Sequence, residues 1–138
     1  MGNREIAQYL LQNGAREDIF HAAMSGKKEL VASFVAADPS IANIAGPHKL
    51  SLLYHVAISG DTRIADIVKS HISKINSDCN KALHAAVRSG RLEMTEWLVK
   101  NGADDLNTKD FRGSTPFQSA EKAGRIELAA MLKKFGGK

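Results

Sequence analysis

Cysteine is almost absent from this chain: 138 residues contain one, Cys79, alongside three prolines and one tryptophan. A lone thiol excludes an internal disulfide framework, so packing has to hold the fold, and it fits a reducing compartment. No apolar run approaches the roughly 20 residues that a membrane-spanning helix needs. The opening residues Met1-Gly2-Asn3-Arg4-Glu5 are polar and lead into a short amphipathic stretch, not a signal-peptide core. Ile6 stands where an N-myristoylation motif wants Ser or Thr. A cytoplasmic location is therefore expected. Charge of one sign is also scarce: 19 Lys and Arg against 15 Asp and Glu leave a net charge of +4. That permits an acidic partner without requiring nucleic acid. A row of basic residues, Arg4, Lys28, Arg63, Arg91 and Arg125, is shadowed by Glu5, Glu29, Asp61, Glu93 and Glu127 and reads as a solvated face. Missing too are G-x-S-x-G, H-E-x-x-H, a P-loop and a dinucleotide fingerprint. No catalytic constellation and no cofactor is expected.

What is present is a period. Gly26, Gly60, Gly90 and Gly124 close four similar segments and lie 34, 30 and 34 residues apart. The segments are EDIFHAAMSG from Glu17, SLLYHVAISG from Ser51, KALHAAVRSG from Lys81 and STPFQSAEKAG from Ser114. Aligned on the glycine, Ile19, Leu53, Leu83 and Phe117 share one column, and Ala22, Val56, Ala86 and Ala120 another. Beyond the glycine the copies stay in phase, with Leu30, Ile64, Met94 and Leu128, then Phe34, Val68, Leu98 and Leu132. Apolar residues at i, i+3 and i+4 predict two amphipathic helices on either side of each hinge. Such a pair cannot bury its apolar faces alone, so the units have to stack. Gly14, Gly102 and Gly136 fall 12 residues after a hinge position, where a helix takes a left-handed C-terminal cap.

At Leu83-His84-Ala85-Ala86, Ser114-Thr115-Pro116-Phe117 and Asn101-Gly102-Ala103-Asp104 the chain resembles the ankyrin repeats, whose signatures read TPLHxAA and NGAD. The resemblance covers essentially the whole chain. It implies an all-α fold: an ankyrin-repeat solenoid of helix-turn-helix repeats with short β-hairpin-like fingers. Pro116 suits the first position of a helix, where no N–H is owed to the ladder. The family's helical histidine, which links neighbouring repeats, is matched by His84 alone; Phe20, Tyr54 and Gln118 replace it elsewhere.

The single domain over 1–138 divides into a half repeat at 2–14 and repeats at 15–38, 39–72, 73–102 and 103–138. The half repeat implies either a lone capping helix or an upstream repeat. Asp38-Pro39 ends a second helix. Residues 40–50 form a full finger around Gly46-Pro47 and 103–113 another, whereas the finger at 73–80 is four residues shorter than the family length. Glu121, Lys133 and Lys134 polarise the last copy, as a solenoid end facing water requires.

The resemblance implies a non-enzymatic module, monomeric, that binds a protein partner through a concave groove. The contact positions are those just before each hinge and at the finger tips: His21, Met24, Ser25, Pro47, His48, His55, Ile58, Ser59, Arg88, Ser89, Phe111, Arg112, Ser114 and Lys122. Arg88, Arg112 and Lys122 lie in the last two repeats and predict an electropositive stretch that prefers an acidic segment. Two alternatives stay open. His21 and His55 share a column, and with His48 they form a conceivable metal site or acid–base cluster, although zinc sites usually space their Cys and His ligands closely. The chain is alternatively the ankyrin part of a larger effector. Trp97, in the column of Tyr9, Ser33, Ile67 and Met131, reads as filling between outer helices, and Cys79 as an ordinary thiol in a finger.

Overall fold

Among the described residues, four helix pairs follow one another along the chain. A computed structural model describes residues 17–44, 46 and 49–138; the half repeat at 2–14, Gly14, Pro47 and His48 lie outside the described residues. The elements are α1 (Glu17–Met24), α2 (Lys28–Ala37), a 3₁₀ turn (Pro39–Asn43), α3 (Leu52–Ser59), α4 (Thr62–Lys69), α5 (Ile75–Arg88), α6 (Leu92–Asn101), α7 (Pro116–Lys122) and α8 (Ile126–Lys134). First helices stack as a row, α1 on α3 on α5 on α7, and second helices as a second row, α2 on α4 on α6 on α8. The fold is the expected all-α solenoid. No strand occurs among the described residues; the finger at 103–113 closes as a turn, with the Asp110 N–H donating to the Ser114 carbonyl at 2.9 Å.

The aligned columns form the core between the rows. Ile19, Leu53, Leu83, Val56, Ala86, Ala120, Ile64, Met94, Phe34, Val68, Leu98 and Leu132 are all fully buried. Small residues in the Ala22 column let first helices approach closely, and the larger residues of the Phe34 column fill the space behind them. The four hinge glycines all take positive φ, between +71° and +76°. A side chain at Gly60 would also meet Arg91 Cδ at 2.6 Å, so both backbone conformation and space call for glycine.

Three helices, α3, α4 and α7, start on a side-chain cap. Ser51 Oγ accepts from the Tyr54 N–H at 3.2 Å, and Asp61 Oδ1 accepts from Arg63 N–H at 2.9 Å. At α7, Thr115 and Gln118 form a reciprocal capping box with Pro116 in the first turn. Asp38 ends α2 and its carboxylate accepts from the Ser40 N–H, starting the 3₁₀ turn.

Three expectations need correction. The short finger at 73–80 is helix: α5 starts at Ile75, two turns before Lys81. Ile75, Cys79, Ala82 and Ala86 continue one apolar stripe, so with too few residues for a finger the chain gains more by burying that stripe. Cys79 is accordingly a buried helical residue and not a finger thiol. Gly102 is not left-handed, since its φ of 167° is extended. It is glycine because α5 crosses above it: an added Cβ would lie 2.9 Å from Cys79 Sγ and 3.0 Å from Ile75 Cγ1. Gly136 does take the positive φ expected of a cap, at +101°. Finally, the expectation of a solvated face is incomplete: Arg63, Arg91 and Arg125 are exposed, but two of these arginines also hold the stack together. Arg91 Nε donates to the Ile58 carbonyl at 3.0 Å, and Arg125 Nη2 to the Arg88 carbonyl at 3.3 Å. Each satisfies an orphan carbonyl at the C-terminus of the preceding repeat's first helix.

Side-chain amides tie the connections together where hairpin pairing is missing. Asn43 donates to the His71 carbonyl at 2.8 Å and accepts from the Ser73 N–H at 2.7 Å. Asn80 likewise donates to Asp104 Oδ1 at 2.7 Å and accepts from the Asp105 N–H at 3.1 Å.

Candidate binding surface

Phe111, at the tip of the connection before α7, is 78% exposed. A bare aromatic there would gain little from the fold, and its neighbours explain its setting. The Arg88 guanidinium carbon lies 5.6 Å from the Phe111 ring centroid and that of Arg112 lies 5.3 Å away. Both distances suit cation–π attraction. Arg88 reaches back from the end of α5 to the preceding repeat, where its Nη2 donates to the Tyr54 hydroxyl and its charge sits 6.0 Å from the Tyr54 centroid. Its Nε lies 3.4 Å from the His84 carbonyl. Three successive repeats thereby fix one guanidinium.

Behind this cluster is a cavity of about 350 Å³, lined by Arg88, Asp110, Arg112, Ser114, Ser119, Lys122 and Ala123. Lys122 Nζ donates to Ser114 Oγ at 3.1 Å, which holds the ammonium at the cavity wall. Asp110 is the one carboxylate present. Its Oδ1 accepts from the Arg112 N–H at 2.8 Å and the Ser114 N–H at 3.0 Å, shaping the turn that presents Phe111. Burial works to raise its pKa, but those two N–H groups, with His84 and Arg88 nearby, prevail and hold the carboxyl below its ordinary value. Among the described residues neither arginine nor Lys122 is within salt-bridge distance of a carboxylate.

Of the fourteen positions expected at the surface, the structure gathers Arg88, Phe111, Arg112, Ser114 and Lys122 here. Ser114 contributes from within, being buried, and supports Lys122 instead of offering an open hydroxyl. Ser89 is half-buried at the end of α5, where its N–H donates to the Ala85 carbonyl. The N-terminal positions do not join the cluster. His21, Met24 and Ser25 are exposed at the end of α1. Ile58 is half-buried, packed against the core. Ser59 is committed to its hinge, donating to the Val56 carbonyl at 2.6 Å and accepting from the Asp61 N–H at 3.1 Å. His55 is only 7% exposed: its ring meets Phe20 edge-on at 5.1 Å, and Nδ1 lies 2.8 Å from the Ser51 carbonyl. That hydrogen bond places its proton on Nδ1 and withdraws it from the surface. Pro47 and His48 lie outside the described residues.

Three residues of the cluster were not expected there. Tyr54 replaces the helical histidine in its column, and a phenol at that point can reach the next repeat. Ser119 shares the column of His21 and His55 and could have been found from it. Asp110 carried no signal beyond a turn, because its role depends on which N–H groups the turn folds inward. Of the histidine alternative, His48 lies outside the described residues, and among the described residues no three His, Cys, Asp or Glu side chains are grouped so as to hold a metal ion. His84 is buried, with the Thr108 backbone of the next connection and the Asp110 carboxylate close enough to act on its ring. Among the described residues no helix is long and apolar enough to cross a membrane.

Residues 19–110 and 67–137 match a family described as ankyrin repeats, three copies. Over 88 residues the chain is 31% identical to diacylglycerol kinase zeta of Rattus norvegicus, covering 60% of this chain and 9% of the kinase. Over 59 residues it is 41% identical to ARF GTPase-activating protein GIT2 of Mus musculus, covering 43% of this chain and 8% of that protein. Over 96 residues it is 27% identical to 26S proteasome non-ATPase regulatory subunit 10 of Dictyostelium discoideum, covering 66% of this chain and 40% of the subunit. The chain thus spans less than a tenth of the first two relatives and well under half of the third.

Proposed function

The chain belongs to the ankyrin-repeat family, and on that premise we propose that it is a non-enzymatic module that holds a protein partner along its concave face. The observation that carries this is the Tyr54–Arg88–Phe111–Arg112 cluster. It presents an aromatic and two arginines, residue types enriched where binding energy concentrates, on elements that the stack already fixes. Preorganisation spares the ordering entropy that a flexible loop would lose on binding. The partner's contacting segment is acidic, because three cations here oppose one carboxylate whose Oδ1 is already turned to the backbone. The remaining expected positions, His21, Met24, Ser25, Ile58 and Ser89, extend the surface towards the first repeat. The module acts as a monomer, and a cytoplasmic setting suits its single buried thiol.

The test is a footprint. A partner captured from the source organism is identified, purified and mixed with the chain, and amide hydrogen exchange is compared with and without it. Slowed exchange in 88–90 and 110–123 supports the reading. Slowing confined to the second helices α4, α6 and α8 assigns the partner to the opposite face and refutes it.

A further inference from the structure

The cavity behind Phe111 carries more charge than a carboxylate can use. Arg88, Arg112 and Lys122 come from the end of α5, the finger and the end of α7, and they converge on one recess against the single carboxylate of Asp110. That leaves two positive charges in excess. An aspartate or glutamate side chain would neutralise one of them. A phosphate monoester carries about −1.5 to −2 charge near neutral pH and three strong acceptor oxygens. The donors are of the matching kind: two planar guanidinium forks, one ammonium, and the Ser119 hydroxyl at the wall. Two of them are fixed before any ligand arrives. The Tyr54 hydroxyl and the His84 carbonyl hold Arg88, and Ser114 Oγ holds Lys122. The cavity, about 350 Å³, has room for a phosphorylated side chain with some of its water.

We propose that this recess recognises the phosphoryl group of a phosphorylated serine or threonine in the partner, with a neighbouring apolar residue of the same segment resting on Phe111. The proposal rests on the protein-binding reading and specifies the chemistry of the acidic segment. A lipid surface fits less well, since it would draw on cations spread over a protruding face and not on three that converge in a recess with a carboxylate beside them. Phe111 adds the second element of specificity. Its ring, flanked by Arg88 and Arg112, is an exposed platform next to the anion site, so a phosphorylated residue followed or preceded by an apolar one engages both.

Three degenerate peptide pools, centred on phosphoserine, glutamate and serine, are titrated with the full chain by fluorescence anisotropy. Vesicles of phosphatidylcholine with phosphatidylinositol 4,5-bisphosphate are assayed in parallel by sedimentation. The phosphoserine pool is expected to bind at least tenfold tighter than the glutamate pool. Arg112→Gln and Lys122→Gln should each weaken it at least fivefold without shifting the thermal melt, while Lys133→Gln changes neither. Inorganic phosphate should move the ¹⁵N–¹H resonances of Arg112 and Ser119 first, which reports the site without any variant. Equal binding of the phosphoserine and glutamate pools, both weakened by the variants, overturns phosphate recognition and leaves the acidic-partner reading standing. Binding of the vesicles with no peptide pool retained assigns the site to a membrane and overturns the proposal. No pool bound, and a captured partner indifferent to both variants, overturns the proposal together with the reading beneath it.

Discussion

Arg91 Nε donates to the main-chain oxygen of Ile58 across 3.0 Å, so a residue opening one repeat's second helix completes the end of the previous repeat's first helix. Arg125 does the same for Arg88, and Gly60 and Gly90 lie directly beneath the two arginine side chains. These two hinge glycines therefore serve two neighbours at once: a left-handed backbone in their own repeat and clearance for the next one's arginine. Gly60→Ala should destabilise the chain by about 1–3 kcal/mol, mostly through the strained φ. Arg91→Ala alone should cost about 1 kcal/mol. Because both changes disturb one contact, the double variant should fall short of their sum. Urea unfolding of the four proteins measures this, and strict additivity would show that the glycine and the clamp are independent.

Leu98 is fully buried between the rows, where Trp97 beside it donates from Nε1 to Asp66 Oδ1 at 2.8 Å and joins α6 to α4. Leu98→Ala should lower stability by about 2–5 kcal/mol, whereas Asp66→Ala should cost no more than about 1–2 kcal/mol. The same denaturant series decides it. A loss below about 1 kcal/mol for Leu98→Ala would mean the column does not form the core there.

How much of this was legible in the sequence follows the reach of each interaction. The hinge glycines and the apolar columns are local and repeated, so the period exposes them and the helix pairs with them. The extension of α5 was also written in the sequence, since Ile75, Cys79 and Ala82 keep helical spacing. Aligning 73–80 with longer fingers hid it. The Arg91 and Arg125 clamps were not legible, because their acceptors are main-chain atoms 33 and 37 residues away that only stacking brings close. Within the candidate site the cations were readable as exposed charges, Arg88 and Lys122 just before their hinges and Arg112 at a finger tip. Their convergence was not, for it depends on Tyr54, Phe111 and Asp110 holding them in register.

Burial, with the Asp78 carboxylate adding to it, pushes the Cys79 thiol up from 9.0 to about 12. A thiol that stays protonated is a poor nucleophile. Ellman's reagent at pH 8 should react with the native chain at least a hundredfold more slowly than with the chain in urea. Since the unfolded state ionises near 9 and the folded state only near 12, stability should decline across that interval as pH rises. Cys79→Ala should remove that component of the alkaline slope. Rapid labelling of the native protein would place the thiol at the surface.

His84 should give the acid side of the profile. Burial holds its imidazole below the ordinary 6.5, with Arg88 acting in the same direction and the Asp110 carboxylate against it. The unfolded chain thus takes up a proton near 6.5 and the folded chain only at lower pH. This contribution to stability is complete above about pH 6.5 and is lost as pH falls below it. Melting temperatures between pH 8 and 5 should drop more steeply for the wild type than for His84→Gln. Parallel curves would mean that His84 titrates alike in both states.

The central claim is that the charged recess of the last two repeats is where a partner binds. Its most direct measurement is the affinity of the captured partner for the wild type and for Arg88→Glu/Arg112→Glu, at 50 and 300 mM salt, beside a urea melt of both proteins. Both arginines are exposed, so the double change should alter stability by no more than about 1 kcal/mol. It should weaken binding at least about tenfold at low salt, mainly by slowing association, with a smaller difference at high salt. A folded variant that binds as tightly as the wild type at both ionic strengths would contradict the account.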